Sequence, residues 1–242
     1  MSEKPATGRR GDRETGRRGA DLSLGPSPLR GGERGGVGRP QLNPQSPVAS
    51  PQSSRPPVVV GVSGASGAVL ARQTILRLGQ AGYPVVATCS QAAQRVWQEE
   101  LDESFGAFVR RCRADFSLEA LDVEDIGASI ASGRRLTLGM LVVPCSMDAL
   151  SAIATGRSTN LLERAADVTL KEGRTLTLVP RESPLSPIHL ENLWKLARLG
   201  VRIVLPVPAF YLKPKTLEEV VDDVACRAIG TLGILDLSEG VR

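Results

Sequence analysis

The strongest constraint on this chain is an alternation of short β-branched runs with helix-spaced segments, which starts at residue 58. Residues 58–62 form a continuous apolar run, typical of a strand buried on both faces. Residues 68–80 follow with apolar side chains at helical spacing. Because strands that alternate with helices pair in parallel through crossovers, the sequence predicts a three-layer α/β domain with a mostly parallel sheet over residues 58–242.

The same patterns predict the other elements of this domain. Further strands are expected at 85–89, 140–143, 176–179 and 202–205. Further helices are expected at 91 to about 103, 147–154, 161–172, 188–199 and 216–232. Residues 105–133 show the weakest pattern, and we expect irregular structure there with one short helix near 123–132.

Residues 1–57 have a different composition. They contain ten Gly and nine Pro, and their ten Lys and Arg outnumber five Asp and Glu. Isolated apolar residues cannot bury enough surface to offset the entropy of ordering, so the segment is expected to be a disordered extension. A nucleic-acid or membrane-seeking arm and a transit peptide are the alternatives, although the acidic residues weaken the latter.

Composition argues against several classes of function. No apolar run reaches the roughly 18 residues of a membrane span, so a soluble, cytoplasmic protein is expected. Four cysteines without a CxxC pair and a single histidine, His189, argue against a metal site. Aromatic residues are 3% of the chain, too few for a surface that stacks single-stranded nucleic acid.

Ligands of parallel sheets bind beyond the carboxyl ends of the strands, so the residues there are candidates for a site. A glycine-rich turn, 61–67, follows the first strand and suits either a phosphate or flavin edge or close helix packing. Ser90 and Ser146 stand where helices begin, which also suits ordinary N-caps. Cys145 is either a nucleophile or a small buried thiol, and no neighbouring group activates it.

Two loops that contain prolines follow later predicted strands. The first, 180–184, carries Arg181 and Glu182, and the second, 206–211, carries Tyr211. Proline fixes φ, so these loops are expected to be stiff and to aim their side chains. Arg164 and Lys171 are seven residues apart and therefore share a helical face, which suits either a solvated surface or an anion site.

Six ordered motifs carry a resemblance to a known family. They are GVSGASGA, CSQAA, VVPCSMDALSAIATG, NLLERAADVTLKE, LVPRESPLSPIHLENLWKL and LPVPAFYLKP. Together they resemble the UbiX-type flavin prenyltransferases from about residue 58 to 234. The resemblance implies a Rossmann-like, flavodoxin-like fold, a cytoplasmic homo-oligomer, typically a dodecamer, and no metal. It implies transfer of a dimethylallyl group from dimethylallyl phosphate to N5 and C6 of reduced FMN, with prenylated FMN passed to UbiD-type decarboxylases.

The resemblance also implies roles for individual residues. Those expected to hold FMN are Gly64, Ala65, Ser66, Ser90, Ser146, Met147, Asp148, Ala149 and Arg181. Those expected to bind the dimethylallyl phosphate are Arg164, Lys171, Tyr211 and Arg227. Those expected to take part in catalysis are Ser66, Glu100, Lys171 and Glu182. Fixed cations and a phenol would stabilise the phosphate that leaves.

The chain departs from the family pattern at three places. Ala149 replaces a threonine, Gly173 and Thr175 interrupt a basic run, and the tryptophan that shields the prenyl group in many members is missing. Two other functions remain open: an FMN-dependent decarboxylase of the wider oligomeric group, and a flavin carrier without chemistry. The first would need a histidine after the second strand, where Gln91 stands.

Overall fold

The computed structural model describes residues 55–234, and every strand in that range pairs in parallel. The sheet order is β3-β2-β1-β4-β5-β6. The strands are β1 Val58–Val62, β2 Val85–Cys89, β3 Leu118–Leu121, β4 Gly139–Cys145, β5 Thr175–Pro180 and β6 Arg202–Ile203. The expectation for residues 1–57 falls outside the described residues, apart from 55–57.

Helices cover both faces of the sheet. They are α1 Ala68–Gln80, α2 Gln91–Leu101, α3 Phe105–Cys112, α4 Met147–Thr155, α5 Leu161–Lys171, α6 Pro187–Arg198 and α7 Leu217–Gly230. Short 3₁₀ turns lie at Ser129–Ala131 and Phe210–Leu212. No helix within residues 55–234 is long and apolar enough to cross a membrane.

Two apolar cores form because successive strand residues face opposite sides of the sheet. Val58 and Val60 pack in the core beneath α1, α2, α3 and α7, whereas Val59 packs in the core beneath α4, α5 and α6. The large side chains fully buried in the first core include Leu78, Trp97 and Phe108, and those in the second include Leu150, Leu162 and Leu196. The predicted three-layer, parallel α/β domain is confirmed.

The expectation for residues 105–133 was wrong. The segment contains α3 and the edge strand β3, whereas the expected helix near 123–132 is one 3₁₀ turn. Phe105, Phe108, Val109 and Cys112 form the buried face of α3, at spacings of three and four residues. The predicted helix after β2 is also shorter, because Asp102 adopts a left-handed φ of 53° that ends α2.

The strand order reverses between β1 and β4. From β1 the chain proceeds outward to β2 and β3, whereas β4 lies on the other side of β1 and leads to β5 and β6. The loops after β1 and β4 lead toward opposite edges of the sheet, so a crevice opens beyond the carboxyl ends of these two strands. The fold therefore places the glycine-rich turn beside the start of α4.

The close contact between α1 and the segment after α3 gives a stability prediction. A Cβ at Gly79 would lie 2.3 Å from a ring atom of Phe116. Gly79→Ala should therefore lower the free energy of unfolding by about 1–2 kcal/mol, because overpacking outweighs the helix propensity of alanine. Urea denaturation measures the change.

Gly230→Ala is the matched control, since Gly230 also lies in the last turn of a helix but a Cβ there meets nothing within 4 Å. It should leave stability unchanged or raise it by up to about 1 kcal/mol. Equal effects of the two substitutions would contradict the packing argument.

Candidate functional site

A cleft of about 240 Å³ lies at the carboxyl ends of the central strands. Its lining comes from the turn after β1 and from the first residues of α2, α4 and α5. The lining residues are Ser63, Gly64, Ser90, Ala92, Ser146, Asp148, Ala149, Asn160, Leu162 and Glu163. Five of these are residues that the sequence predicts to hold a cofactor: Gly64, Ser90, Ser146, Asp148 and Ala149.

Three helices present their N-termini to this cleft. Ser90 caps α2 by accepting a hydrogen bond from Ala93 N at 3.1 Å, and Ser146 caps α4 by accepting one from Ala149 N at 3.2 Å. Asn160 caps α5 by accepting one from Glu163 N at 3.0 Å. Because each helix N-terminus carries partial positive charge, their convergence favours an anionic group such as a phosphate.

The turn after β1 is tied directly to the end of β4. Ser63 Oγ donates to the carbonyl oxygen of Pro144 at 2.9 Å and accepts from Ser146 N at 2.7 Å. Ser63 is 3% exposed, so both contacts are shielded from water. A Cβ at Gly64 would lie 2.5 Å from Ala92 Cβ, so glycine is required for the turn to pack against α2.

The amides at the start of α1 are already bonded to a carboxylate of the chain. Glu100 accepts hydrogen bonds from Gly67 N, at 2.9 Å to Oε2, and from Ala68 N at 2.8 Å. Gly67 has φ +110°, which glycine adopts without strain. A bound anion would compete with Glu100 at α1, whereas α2, α4 and α5 open onto the cleft.

Of the other predicted flavin residues, Ala65 and Ser66 belong to the turn and Arg181 contacts it. Arg181 Nε donates to the carbonyl oxygen of Ser66 at 3.3 Å, which brings the loop after β5 against the turn. Ala65 is buried and Ser66 is exposed, whereas Met147 is half-buried against the second core.

The predicted phosphate-binding residues contact different partners within residues 55–234. Arg227 Nη2 donates to Tyr211 Oη at 3.5 Å, and Tyr211 is 75% exposed. Arg164 instead contacts Asp167 at 3.1 Å, and Lys171 contacts Glu172 at 2.8 Å. Lys171 ends α5, roughly 15 Å along the helix from the cleft. Within residues 55–234, no hydrogen bond or ion pair joins Arg164 or Lys171 to Tyr211 or Arg227, so their meeting at one phosphate stays a prediction.

Glu182 is exposed in the loop after β5. One of its carboxylate oxygens accepts a hydrogen bond from the backbone N–H of Ser183 at 2.9 Å. The carboxylate therefore faces solvent rather than a charged partner of the predicted site.

Burial decides between the two interpretations of Cys145. The residue is 0% exposed, and desolvation raises the pKa of its thiol. Burial likewise raises the pKa of Cys89 to about 12. Thiolates are the nucleophilic form of cysteine, so these geometries favour inert, buried thiols.

Sequence reasoning missed part of the lining. Ala92, Asn160, Leu162 and Glu163 were not singled out, and Ser63 was included only as part of the turn 61–67. An asparagine followed three residues later by glutamate is nevertheless a recognisable helix start. Glu163 is 3% exposed, and its Oε2 accepts hydrogen bonds from both Thr159 N and Thr159 Oγ1 at 2.8 Å. Residues 55–234 contain no group of three or more His, Cys, Asp or Glu that could hold a metal ion.

Comparisons with known proteins show which family the chain resembles. A family model described as Flavoprotein matches residues 47–228. The flavin prenyltransferase UbiX of Synechocystis is 44% identical over 189 residues, which cover 74% of this chain and 91% of the relative.

Two solved structures extend the comparison to the fold. A crystal structure of AnUbiX (PadA1) in complex with FMN and dimethylallyl pyrophosphate has TM-score 0.70 and 36% identity, covering 74% of this chain and 93% of that one. A dodecameric FMN-dependent UbiX-like decarboxylase from Escherichia coli O157:H7 has TM-score 0.69 and 39% identity, covering 73% of this chain and 94% of that one.

The contact between Glu100 and α1 gives a second prediction. Glu100→Gln removes the charge that faces the first amides of α1, so the free energy of unfolding should fall by about 1 kcal/mol. Glu99→Gln is the control, because its side chain is exposed on the same helix and forms no hydrogen bond within residues 55–234. Urea denaturation of both variants measures the difference, and equal stabilities would refute the capping role.

Proposed function

Because this chain belongs to the UbiX-type flavin prenyltransferase family, we propose that it joins a dimethylallyl group from dimethylallyl phosphate to N5 and C6 of reduced FMN. The product would be prenylated FMN, supplied to UbiD-type decarboxylases. The observation that carries the proposal is the cleft at the strand reversal, where three helix N-termini face a glycine turn. The reaction would take place in the cytoplasm.

The residues around the cleft fit a flavin mononucleotide. The amides at the starts of α2, α4 and α5 suit its phosphate, whereas the turn with Gly64, Ala65 and Ser66 suits the edge of its ring. Arg181, bonded to the turn at Ser66, would join them. When bound, reduced FMN supplies the electron-rich ring that accepts the prenyl group, so the protein needs no nucleophile of its own.

The prenyl donor would be bound by cations that neutralise its phosphate. Arg164 and Arg227 offer bidentate contacts, Lys171 offers a point charge, and Tyr211 offers a phenol hydroxyl. These groups would stabilise the charge that develops as the carbon–oxygen bond breaks. A monophosphate carries less charge than a diphosphate, so we propose that the reaction needs no metal ion.

Carboxylates and the turn would complete the chemistry. Glu182 is exposed beside Arg181. We propose that its carboxylate accepts the proton that C6 releases when the second bond forms. Ser66 would orient N5. Glu100 would hold the end of the turn and the start of α1 against α2, and it would border the prenyl group.

Assembly of several subunits would bring the separated cations together. Tyr211 and Arg227 are exposed, and the apolar side chains around them are exposed as well: Phe210 at 78% and Leu217 at 69%. Trp194 on α6 is 60% exposed. We propose a homo-oligomer, with the dodecamer of the Escherichia coli relative as its expected form.

The reaction itself is the test of this proposal. Purified protein mixed with reduced FMN and dimethylallyl phosphate should add one five-carbon unit to the flavin, measured by mass spectrometry. Arg227→Ala and Lys171→Ala should each abolish that mass gain while FMN still binds, because the phosphate loses a cation. Arg110→Ala, on the exposed face of α3, is the control and should retain turnover.

Two outcomes would contradict parts of the proposal. Turnover in both cation variants would mean that the phosphate binds elsewhere. FMN binding by the unaltered protein without any mass gain would leave a flavin carrier as the function.

A further inference from the structure

Two carboxylates line the cleft that is proposed to receive the phosphate of FMN. Asp148 lies in the first turn of α4 with its side chain 83% exposed, and Glu163 lies in the first turn of α5 with its side chain 4% exposed. Negative charge at these positions stabilises the helix N-termini but repels an anionic ligand. The cleft therefore needs a compensating positive charge.

Arg157 supplies that charge from beside the cleft, because it is not itself one of the lining residues but contacts two of them. Its Nη2 lies 3.1 Å from Asp148 Oδ1 and 3.5 Å from Glu163 Oε1, so one guanidinium joins both carboxylates. Both contacts are made by Nη2, and the side chain is 47% exposed. Arginine has further donors on Nη1 and Nε, which suit the oxygens of a phosphate.

The backbone fixes Arg157 independently of its side chain. α4 ends at Gly156, whose φ of +70° turns the chain, and Arg157 N donates to the carbonyl oxygen of Ala152 at 2.9 Å. Replacing the side chain should therefore leave this turn in place. The two carboxylates differ, because Glu163 also holds Thr159 whereas the Asp148 side chain contacts Arg157.

We infer that Arg157 is a binding residue for the flavin phosphate, and that its charge balance with Asp148 sets the preference of the cleft for FMN over riboflavin, an inference that rests on the proposed function. Riboflavin has the same ring and ribityl chain but no phosphate. Substitution of a residue that acts through its charge should change the affinity for FMN and leave the affinity for riboflavin unaltered. A residue that only shapes the cleft should change both.

The experiment is titration of the full chain with FMN and with riboflavin. Quenching of flavin fluorescence reports the binding. Arg157→Gln should weaken FMN binding by about tenfold, since two uncompensated carboxylates then face the phosphate, and should leave riboflavin within about twofold. Asp148→Asn should tighten FMN binding, and the double variant should return towards the unaltered protein. Arg157→Lys, which keeps the charge, should retain most of the preference.

Several results would overturn the inference. Equal weakening of both flavins by Arg157→Gln would assign Arg157 a structural role, and unchanged FMN affinity would remove it from the site. Circular dichroism melting checks that each variant folds. FMN binding with the predicted pattern but no prenyl transfer would reject the proposed reaction alone, whereas an unaltered protein that binds neither flavin would reject both.

Discussion

The arrangement of the cleft depends on one buried hydroxyl. Ser63 Oγ bridges the carbonyl oxygen of Pro144 and the amide of Ser146, and so joins the loop after β1 to the loop after β4. These strands are parallel neighbours in the sheet, but the chain continues from them toward opposite edges of the sheet. A shielded bond at this point fixes the glycine turn relative to the N-terminus of α4. The groups that would contact the ring and the phosphate are thereby held on a common frame.

Much of the fold could be predicted because buried parallel strands are continuous apolar runs. Val58–Val62 and Val85–Cys89 were located without error, and Ser90 and Ser146 cap helices, one of the two roles that the sequence allowed for them. The edge strand β3 was missed because it is four residues long and only Leu118 in it is buried. An edge strand has fewer neighbours, so its sequence carries a weaker apolar signal.

The site could be predicted only where its residues follow strand ends. The turn with Gly64 and the caps Ser90 and Ser146 meet at one cleft as expected. Lys171 and Tyr211 illustrate what spacing cannot show, since a shared helical face or a stiff loop does not say which other element a side chain meets. Within residues 55–234 their side chains contact Glu172 and Arg227. Arg157 was missed for a related reason: its importance comes from the two carboxylates it joins, and these lie on different helices.

The hydrogen bonds of Glu100 affect the free energy of flavin binding. Its carboxylate holds the amides of Gly67 and Ala68 in the folded subunit itself, so the turn has an internal anionic partner before any ligand arrives. The conformational entropy of that loop is then lost during folding and not during association. Flavin binding should accordingly lose little free energy to ordering of this loop. Its affinity should then reflect the attraction between flavin and protein, which is the advantage of a preorganised binding site.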